Sequence, residues 1–598
     1  MTATYPRRED RAAAPPAGPA GRAAGLIVWG LWLAMLLGSL RLVASYGSDV
    51  PSWDDWDMVP VLTHAQPVTA EWLWSQHNEH RVPLPRLVFL GLNRLTTVDF
   101  RVTMYADVLA VGLLAAAFLW AAARLRGRAS LSDAFFPLVL LDPGQAVNML
   151  WGWQLEFFAS AVLGGTAVLA IALAGTALSV RRAAIVAGTC ALLLPLTGAN
   201  GLGMVPALAL WPLALAVLPA RWTGAGERRG DRVLLALGLG ALALTALYFV
   251  GWERVPHHPR SAGIYPTITT ALQFVTIGLG PAMRGLWPLT GLAAVACFGA
   301  SVVVLLRAWR DRPAERARAG GLLLFLGAMA SLALGLGMGR NGFEVRYVTL
   351  AVPAWCGAWL VWTIYGPPRW SGGMPAALAT AALLALWGNA RFGLEYARDL
   401  RSHLAAFEAD LRAGVPRREL VRRYDPYLHP HEDVPLEYLP MLRRADLGLY
   451  ADLREDPPAR EVPLDLVPSG LADVTWRDST ATVVAGADPH IDFTLPAERY
   501  VAGIRLEYQY EARDGGLPLI GIRWKRADDR EYPAGNYKKY SPTGDRANWE
   551  RGTWTRLGDS VTTMTVALAD TIGQIRINPN YLPGVFRIRR LVLLVPAE

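Results

Sequence analysis

The stretch SWDDWDMVP sets three carboxylates, Asp54, Asp55 and Asp57, among Trp53 and Trp56, directly after a long apolar run. Grouped carboxylates repel one another. Unless a cation compensates, at least one acquires a raised pKa, which makes the group either a poised general base or a set of hard-metal ligands. The same residues would also serve as caps for a helix starting near Trp56, because Asp accepts hydrogen bonds from free N-terminal amides. Further along, QHNEHRVPLPR brings together His77, Asn78, Glu79, His80 and Arg81. That density of polar groups between apolar segments suits a pocket that holds a sugar or phosphate by hydrogen bonds, and local helix-turn structure is the plainer account. On a helix, the i, i+3 spacing of His77 and His80 would let both reach one metal beside Glu79, but no clear third ligand completes a zinc site.

Three other clusters carry polar chemistry. GRNGFEVRY holds Arg340, Glu344 and Arg346, either cations for an anionic ligand or anchors snorkelling from helix ends. WERVPHHPR holds Arg254, His257, His258 and Arg260, as a second polar cluster or a solvated loop. In MLWGWQLEF the indoles of Trp151 and Trp153 could stack on a sugar, but beside Gln154 and Glu156 they read more naturally as an interfacial belt. Asn200 reads as a turn residue. Nothing forms a Ser-His-Asp set or a phosphate-cradling glycine loop. The three cysteines, Cys190, Cys297 and Cys356, lie in apolar runs without metal or disulfide spacing.

These residues need elements to hold them. With 53% hydrophobic and 18% charged residues, the 598-residue chain is too apolar for a set of soluble domains. Its net charge of +8 does not indicate nucleic acid, because the arginines fall in short links between apolar runs, as the positive-inside rule requires. About 11 segments are long enough to span a bilayer: 23–45, 104–124, 131–147, 156–178, 183–198, 201–219, 232–252, 287–307, 319–338, 346–366 and 373–391. Pro143 and Gly144 interrupt the third. Arginines at 7, 8 and 11, at 124, 126 and 128, at 181 and 182, at 228 and 229, and at 310, 312, 316 and 318 occupy alternate links. That face is expected to be cytoplasmic, with the N-terminus on it.

The expected organisation is a disordered tail (1–22), a membrane module (23–391) with an outer loop (47–103), an amphipathic helical connector (392–460), and an extracytoplasmic β-region (461–598). In the last, the period changes to two, as in HIDFTLP and AGIRLEYQY, which suggests an all-β sandwich or jelly roll. Trp524, Tyr537 and Trp549 are its candidate glycan-binding aromatics. The fold class is thus a polytopic α-helical membrane protein with a C-terminal all-β domain.

An acidic pair directly after the first span, many helices and a final outer domain resemble the GT-C superfamily of polyprenyl-phosphate-sugar glycosyltransferases, with WDDWD as the motif that carries the likeness. Family members often show Asp-Asp or Asp-Glu here, so the resemblance implies catalytic roles for Asp54 and Asp55. Asp57 lies outside the pair. The implied activity is inverting transfer of a sugar from a polyprenyl-phosphate donor to a glycan, lipid or protein acceptor, at a bacterial-type inner membrane. Asp57, His77, Asn78, Glu79, His80, Arg81, His257, His258, Arg340, Glu344 and Arg346 would bind substrate. No organic cofactor is indicated; a divalent cation, Mg or Mn, is the one such a site would take. Other readings are a transporter or flippase of lipid-linked saccharide, whose charges would sit at mid-membrane on broken helices, and a non-catalytic polysaccharide-assembly protein.

Overall fold

The computed structural model describes residues 19–223, 230–253, 261–340, 342–430, 432–483, 488–512, 520–533, 536–540, 561–579 and 584–597. Eight of its helices are long and apolar enough to cross a bilayer, and three shorter apolar helices accompany them, Val205–Val217, Arg232–Tyr248 and Ile264–Ile277. Leu26, Leu33, Leu37, Leu292, Leu384 and Trp387 point outward from these helices, an apolar surface that suits lipid and not water. The chain is a polytopic membrane protein.

The helices form a bundle with two chemically distinct ends. At one, Arg126 pairs with Asp133, Arg181 with Asp231, and Arg318 with Glu315 and Tyr365. At the other lie the acidic loop and the links carrying Tyr248, Arg340 and Arg346. The expected span 131–147 is not one helix. Phe135–Leu140 and Ala146–Met149 are separate pieces, because Pro143 lacks an amide proton and Asp142 caps the break through Gly144. The pieces still run the length of the bundle, from the Arg126–Asp133 pair to the acidic loop. Gly393 of the long Gly373–Arg412 helix lets the break pack tightly, since a Cβ there would lie 1.9 Å from the Pro143 carbonyl oxygen.

Ile264–Ile277 falls within no expected span. Its first turn lies beside Met338 at the acidic end, and Gly280, just past its last turn, meets Asn389. The next helix, Leu289–Asp311, again runs to the arginine end, so Ile264–Ile277 dips in without crossing. The Gly373–Arg412 helix continues well past residue 391, since no glycine or proline interrupts it between Gly393 and Gly414; it ends where Gly414 takes φ +75. Leu400, Leu404, Phe407 and Leu411 line its buried face. Against them pack Arg417–Leu428 and Asp433–Arg444, in a core shared with Trp56, Met58 and Val59 of the acidic loop.

Among the described residues, the C-terminal region is an antiparallel sheet of nine strands. They are β3 (Ala459–Pro463), β4 (Gly470–Ala472), β5 (Val474–Arg477), β6 (Thr480–Val483), β7 (His490–Ala512), β8 (Ile520–Lys525), β9 (Tyr537–Tyr540), β10 (Thr562–Pro579) and β11 (Gly584–Pro596). The main path runs β5-β6-β11-β7-β10-β8-β9, with β3 added beside β11 and β4 beside β7. β10 carries two irregularities against β7, and the long strands share one apolar core. A separate two-residue pair, β1 (Gln76–His77) and β2 (His80–Arg81), lies in the acidic loop.

Candidate active site

The loop after the first helix tightens into a 3-10 turn, Trp53–Met58. Ser52 starts it: its amide donates to Asp55 Oδ2 at 3.1 Å, and Ser52 and Asp55 cap the turn reciprocally. Two bonds fix the turn to the connector, Ser52 Oγ to the Tyr427 carbonyl (2.8 Å) and Trp56 Nε1 to the Leu428 carbonyl (3.0 Å). The capping account therefore holds for Asp55. Its side chain is fully buried, and burial pushes its pKa up to about 8 despite amide hydrogen bonds. Asp55 therefore points inward, whereas Asp54, the other member of the expected catalytic pair, keeps a side chain 27% exposed.

His77 and His80 do not lie on a helix. They are cross-strand partners in a hairpin whose two-residue turn holds Asn78 at φ +49. His77 stands between two carboxylates, with Nδ1 at 2.8 Å from Asp57 Oδ2 and Nε2 at 3.7 Å from Asp54 Oδ1. Burial disfavours the imidazolium, but the two carboxylates override it and raise the pKa to about 10. In return, although burial works against it, the His77 cation holds Asp54 below the ordinary carboxylate range. Trp153 meets the His77 ring edge-on at 5.5 Å and fixes its plane.

His80 is held differently. The Ala199 amide donates to its Nδ1 at 3.1 Å, which places the ring proton on Nε2, 3.3 Å from Glu79 Oε1. Burial lowers its pKa, in keeping with a ring whose Nδ1 accepts the amide hydrogen. Glu79 also pairs with Arg340, whose Nε donates to the Tyr347 hydroxyl at 3.1 Å. Arg346 is less committed: its side chain is 32% exposed, and its nearest carboxylate, Glu344, is 3.4 Å away. Asp54 and Glu156 lie close enough for Arg346 to feel their charges.

Arg81 does not belong to the substrate-binding set. Its Nε and Nη2 donate to the carbonyls of Tyr248 and Val250 at the C-terminal end of Arg232–Tyr248, and its Nη1 to that of Trp74 at the end of Ala70–Trp74, where helix carbonyls lack internal partners. His257 and His258 lie outside the described residues, as does Trp549. Trp524 is core, 1% exposed with its Nε1 donating to Asp570 at 3.0 Å, so its assignment to glycan binding is corrected. Tyr537 remains partly open, with the Arg523 guanidinium 4.6 Å over its ring.

The residues read as belt and turn come to the same place. Gly152 packs so closely that a Cβ would lie 2.5 Å from Thr103 Oγ1 and 3.2 Å from Asp55 Oδ1, which brings Trp151 to Glu156 under the acidic turn. Glu156 is 7% exposed, its Oε2 3.9 Å from His80 Nδ1. Buried atoms in this region that meet no hydrogen-bond partner include Glu156 Oε2, Gln154 Oε1, Asn200 Nδ2, Asn78 Oδ1 and the indole nitrogens of Trp151 and Trp153. Buried polar groups cost free energy when unmet, and this concentration sets the region beneath the acidic turn apart from ordinary apolar packing. The sequence signal was Gln154 and Glu156 opening an otherwise apolar run.

No family model matches the chain, and no curated protein matches it. Among solved structures, arabinosyltransferase EmbB from Mycobacterium smegmatis aligns over 98% of this chain and 66% of its own, at 12% identity and a TM-score of 0.27. A mutant of arabinofuranosyltransferase AftD from Mycobacteria aligns over 98% of this chain and 62% of its own, at 13% identity and a TM-score of 0.29. The chain spans just under two thirds of the length of either protein.

Proposed function

We propose that the chain is a membrane glycosyltransferase of the GT-C type, moving a sugar from a polyprenyl-phosphate carrier to a glycan, lipid or protein acceptor with inversion. The observation that carries this reading is one open carboxylate, Asp54, at the end of a membrane bundle, flanked by the His77 cation and within charge range of Arg346. In this reading Asp54 takes the proton of an acceptor hydroxyl as that oxygen bonds to the anomeric carbon. The bond from that carbon to the phosphate oxygen breaks, and polyprenyl phosphate leaves with the electron pair. A phosphate leaving group needs charge stabilisation more than a proton, and Arg346 supplies it more readily than Arg340, which already serves Glu79 and Tyr347.

Asp54, Asp57 and His77 offer donor atoms within 4.8 Å of one another, a carboxylate-rich set that suits Mn or Mg. A divalent ion held there would neutralise negative charge near the leaving phosphate. His77 would have to give up its proton to serve as a ligand. We place the acidic loop and the C-terminal sheet outside a bacterial-type inner membrane and the N-terminus in the cytoplasm, supported by the arginines at the opposite end of the bundle. A lipid-linked-saccharide flippase fits less well, because the polar cluster lies at one end and not at mid-bundle.

The test is release and transfer of sugar from a panel of polyprenyl-phosphate donors by the purified chain in vesicles. Transfer lost in Asp54→Asn and kept in Asp55→Asn supports the reading. Transfer unaffected by Asp54→Asn, or no sugar release from any donor, sinks it.

A further inference from the structure

The helix Pro83–Leu95 follows directly from the hairpin: Arg81 ends the second strand, Val82 precedes the helix and Pro83 opens it. Its inward face holds Pro85, Arg86, Phe89, Leu90 and Asn93, all buried. Arg86 donates to the carbonyls of Trp72 and Ser75 and to the Ser75 hydroxyl, with its guanidinium 4.8 Å over the Trp72 ring, and Asn93 donates to the Phe89 carbonyl at 3.0 Å. The outward face carries Leu87 (51% exposed), Val88, Gly91 and Leu95 (83% exposed), which helical spacing sets on one stripe. Arg94 flanks that stripe in the last turn. A helix that faces water turns its polar groups out and its leucines in. This one is reversed.

An apolar stripe is covered either by lipid or by protein, and its surroundings decide for lipid. The helix packs against the span Arg101–Arg126, whose Leu109 and Leu113 also point outward, so the stripe continues the lipid-facing surface of the bundle. Its 13 residues extend about 20 Å, short of the roughly 30 Å hydrocarbon core, so it does not cross. Arg94 and Arg101 stand between the stripe and that span, where long cationic side chains reach headgroup phosphates. We propose that Pro83–Leu95 is seated in the lipid leaflet at the acidic end of the bundle, with Leu87, Val88 and Leu95 among the acyl chains. Glu79 and His80 lie just ahead of it in the chain, so its depth sets the height of the hairpin above the leaflet, and with it that of His77 beside Asp54. The seat rests on exposure and packing, and stands without the transferase reading.

The test places an environment-sensitive fluorophore on Leu87→Cys, Leu95→Cys and, on the exposed β5 strand, Arg477→Cys, in the full chain reconstituted in vesicles of phosphatidylethanolamine and phosphatidylglycerol. The native Cys190, Cys297 and Cys356 are buried, and the unsubstituted chain gives the background labelling. Lipids spin-labelled near the headgroup are expected to quench the probes at Leu87 and Leu95 at least about threefold more than the probe at Arg477, and lipids labelled at the chain ends to quench them less. All three substitutions lie on exposed side chains, so a folded protein is expected, and unchanged thermal unfolding confirms it. Equal quenching at the three positions overturns the proposal. So does self-quenching that rises with protein density and ignores the labelled lipid, which would make the stripe a contact between copies, or quenching that appears only when polyprenyl phosphate is added, which would make it a groove for the carrier. Failure of the transferase reading shows separately, as absent sugar release, because the quenching needs no turnover.

Discussion

Asp54 in the acidic loop and Asp492 on β7 are both carboxylates set beside a cation and aromatic rings, yet their surroundings differ. Asp492 receives Arg576 through Nε at 2.7 Å and Nη2 at 2.9 Å and the Tyr532 hydroxyl at 3.0 Å, with the guanidinium 4.4 Å over the Tyr532 ring. Its oxygens are met, and it is 8% exposed. Asp54 has the His77 nitrogen at 3.7 Å and Arg346 within charge range, and its side chain is 27% exposed. A closed network rigidifies a sheet, whereas an open one is organised for something that arrives. The contrast separates the two carboxylates by their surroundings, one closed by its partners and one left partly open.

Removing the carboxylate charge at each centre should break the comparison most sharply. Asp54→Asn is expected to lower kcat by roughly 10³-fold, the usual size of a general-base contribution, and Asp492→Asn to leave it within about twofold. Initial rates with one donor and one acceptor at saturation read both. Next in size, Arg346→Ala should lower kcat/KM by roughly 10²-fold through lost stabilisation of the departing phosphate, and Arg346→Lys should recover part of it. Equal rates for Arg346→Ala and the parent would remove that residue from the mechanism. Asp492→Ala instead acts on folding: leaving Arg576 largely buried without its bidentate partner costs about 2 kcal/mol, read as a lower denaturant midpoint for the sheet at unchanged transfer rate.

Much of the fold was legible because a membrane span needs only length and low polarity, and runs such as Leu289–Asp311 announce both. Ile264–Ile277 escaped because 14 residues with several threonines fall short of a span, and nothing local says that a short helix will dip and return. The site was half legible. Neighbouring residues of one type, Asp54 and Asp55, point in different directions, and only the Ser52-x-x-Asp55 spacing hinted which would turn back to cap. Trp524 was legible as core, since Ile520, Ile522 and Trp524 alternate onto one face of β8, all buried. Arg81 was not, because its partners, the carbonyls of Tyr248 and Val250, lie far off in the chain and belong to no motif.

The smallest expected effect sharpens the comparison at the edge of the acidic loop, where a third carboxylate, Asp49, is neither open nor ion-paired. It accepts the Phe100 amide at 2.8 Å, and burial, helped by the neighbouring Asp99, raises its pKa to about 7 against that hydrogen bond. Below about pH 4 the group is protonated in both folded and unfolded chains and contributes no pH dependence. As pH rises from there towards 7, the unfolded chain loses this proton while the folded one keeps it, so the folded state is progressively disfavoured; above 7 the penalty is complete. Asn in its place still accepts the Phe100 amide and does not titrate. Asp49→Asn should therefore unfold with the parent near pH 4 and about 1 °C higher at pH 8, read by thermal unfolding in detergent. A gap that is constant across this range, or that closes as pH rises, would mean that Asp49 is ionised in the folded loop, and that the loop tolerates a buried charge away from His77 as well as beside it.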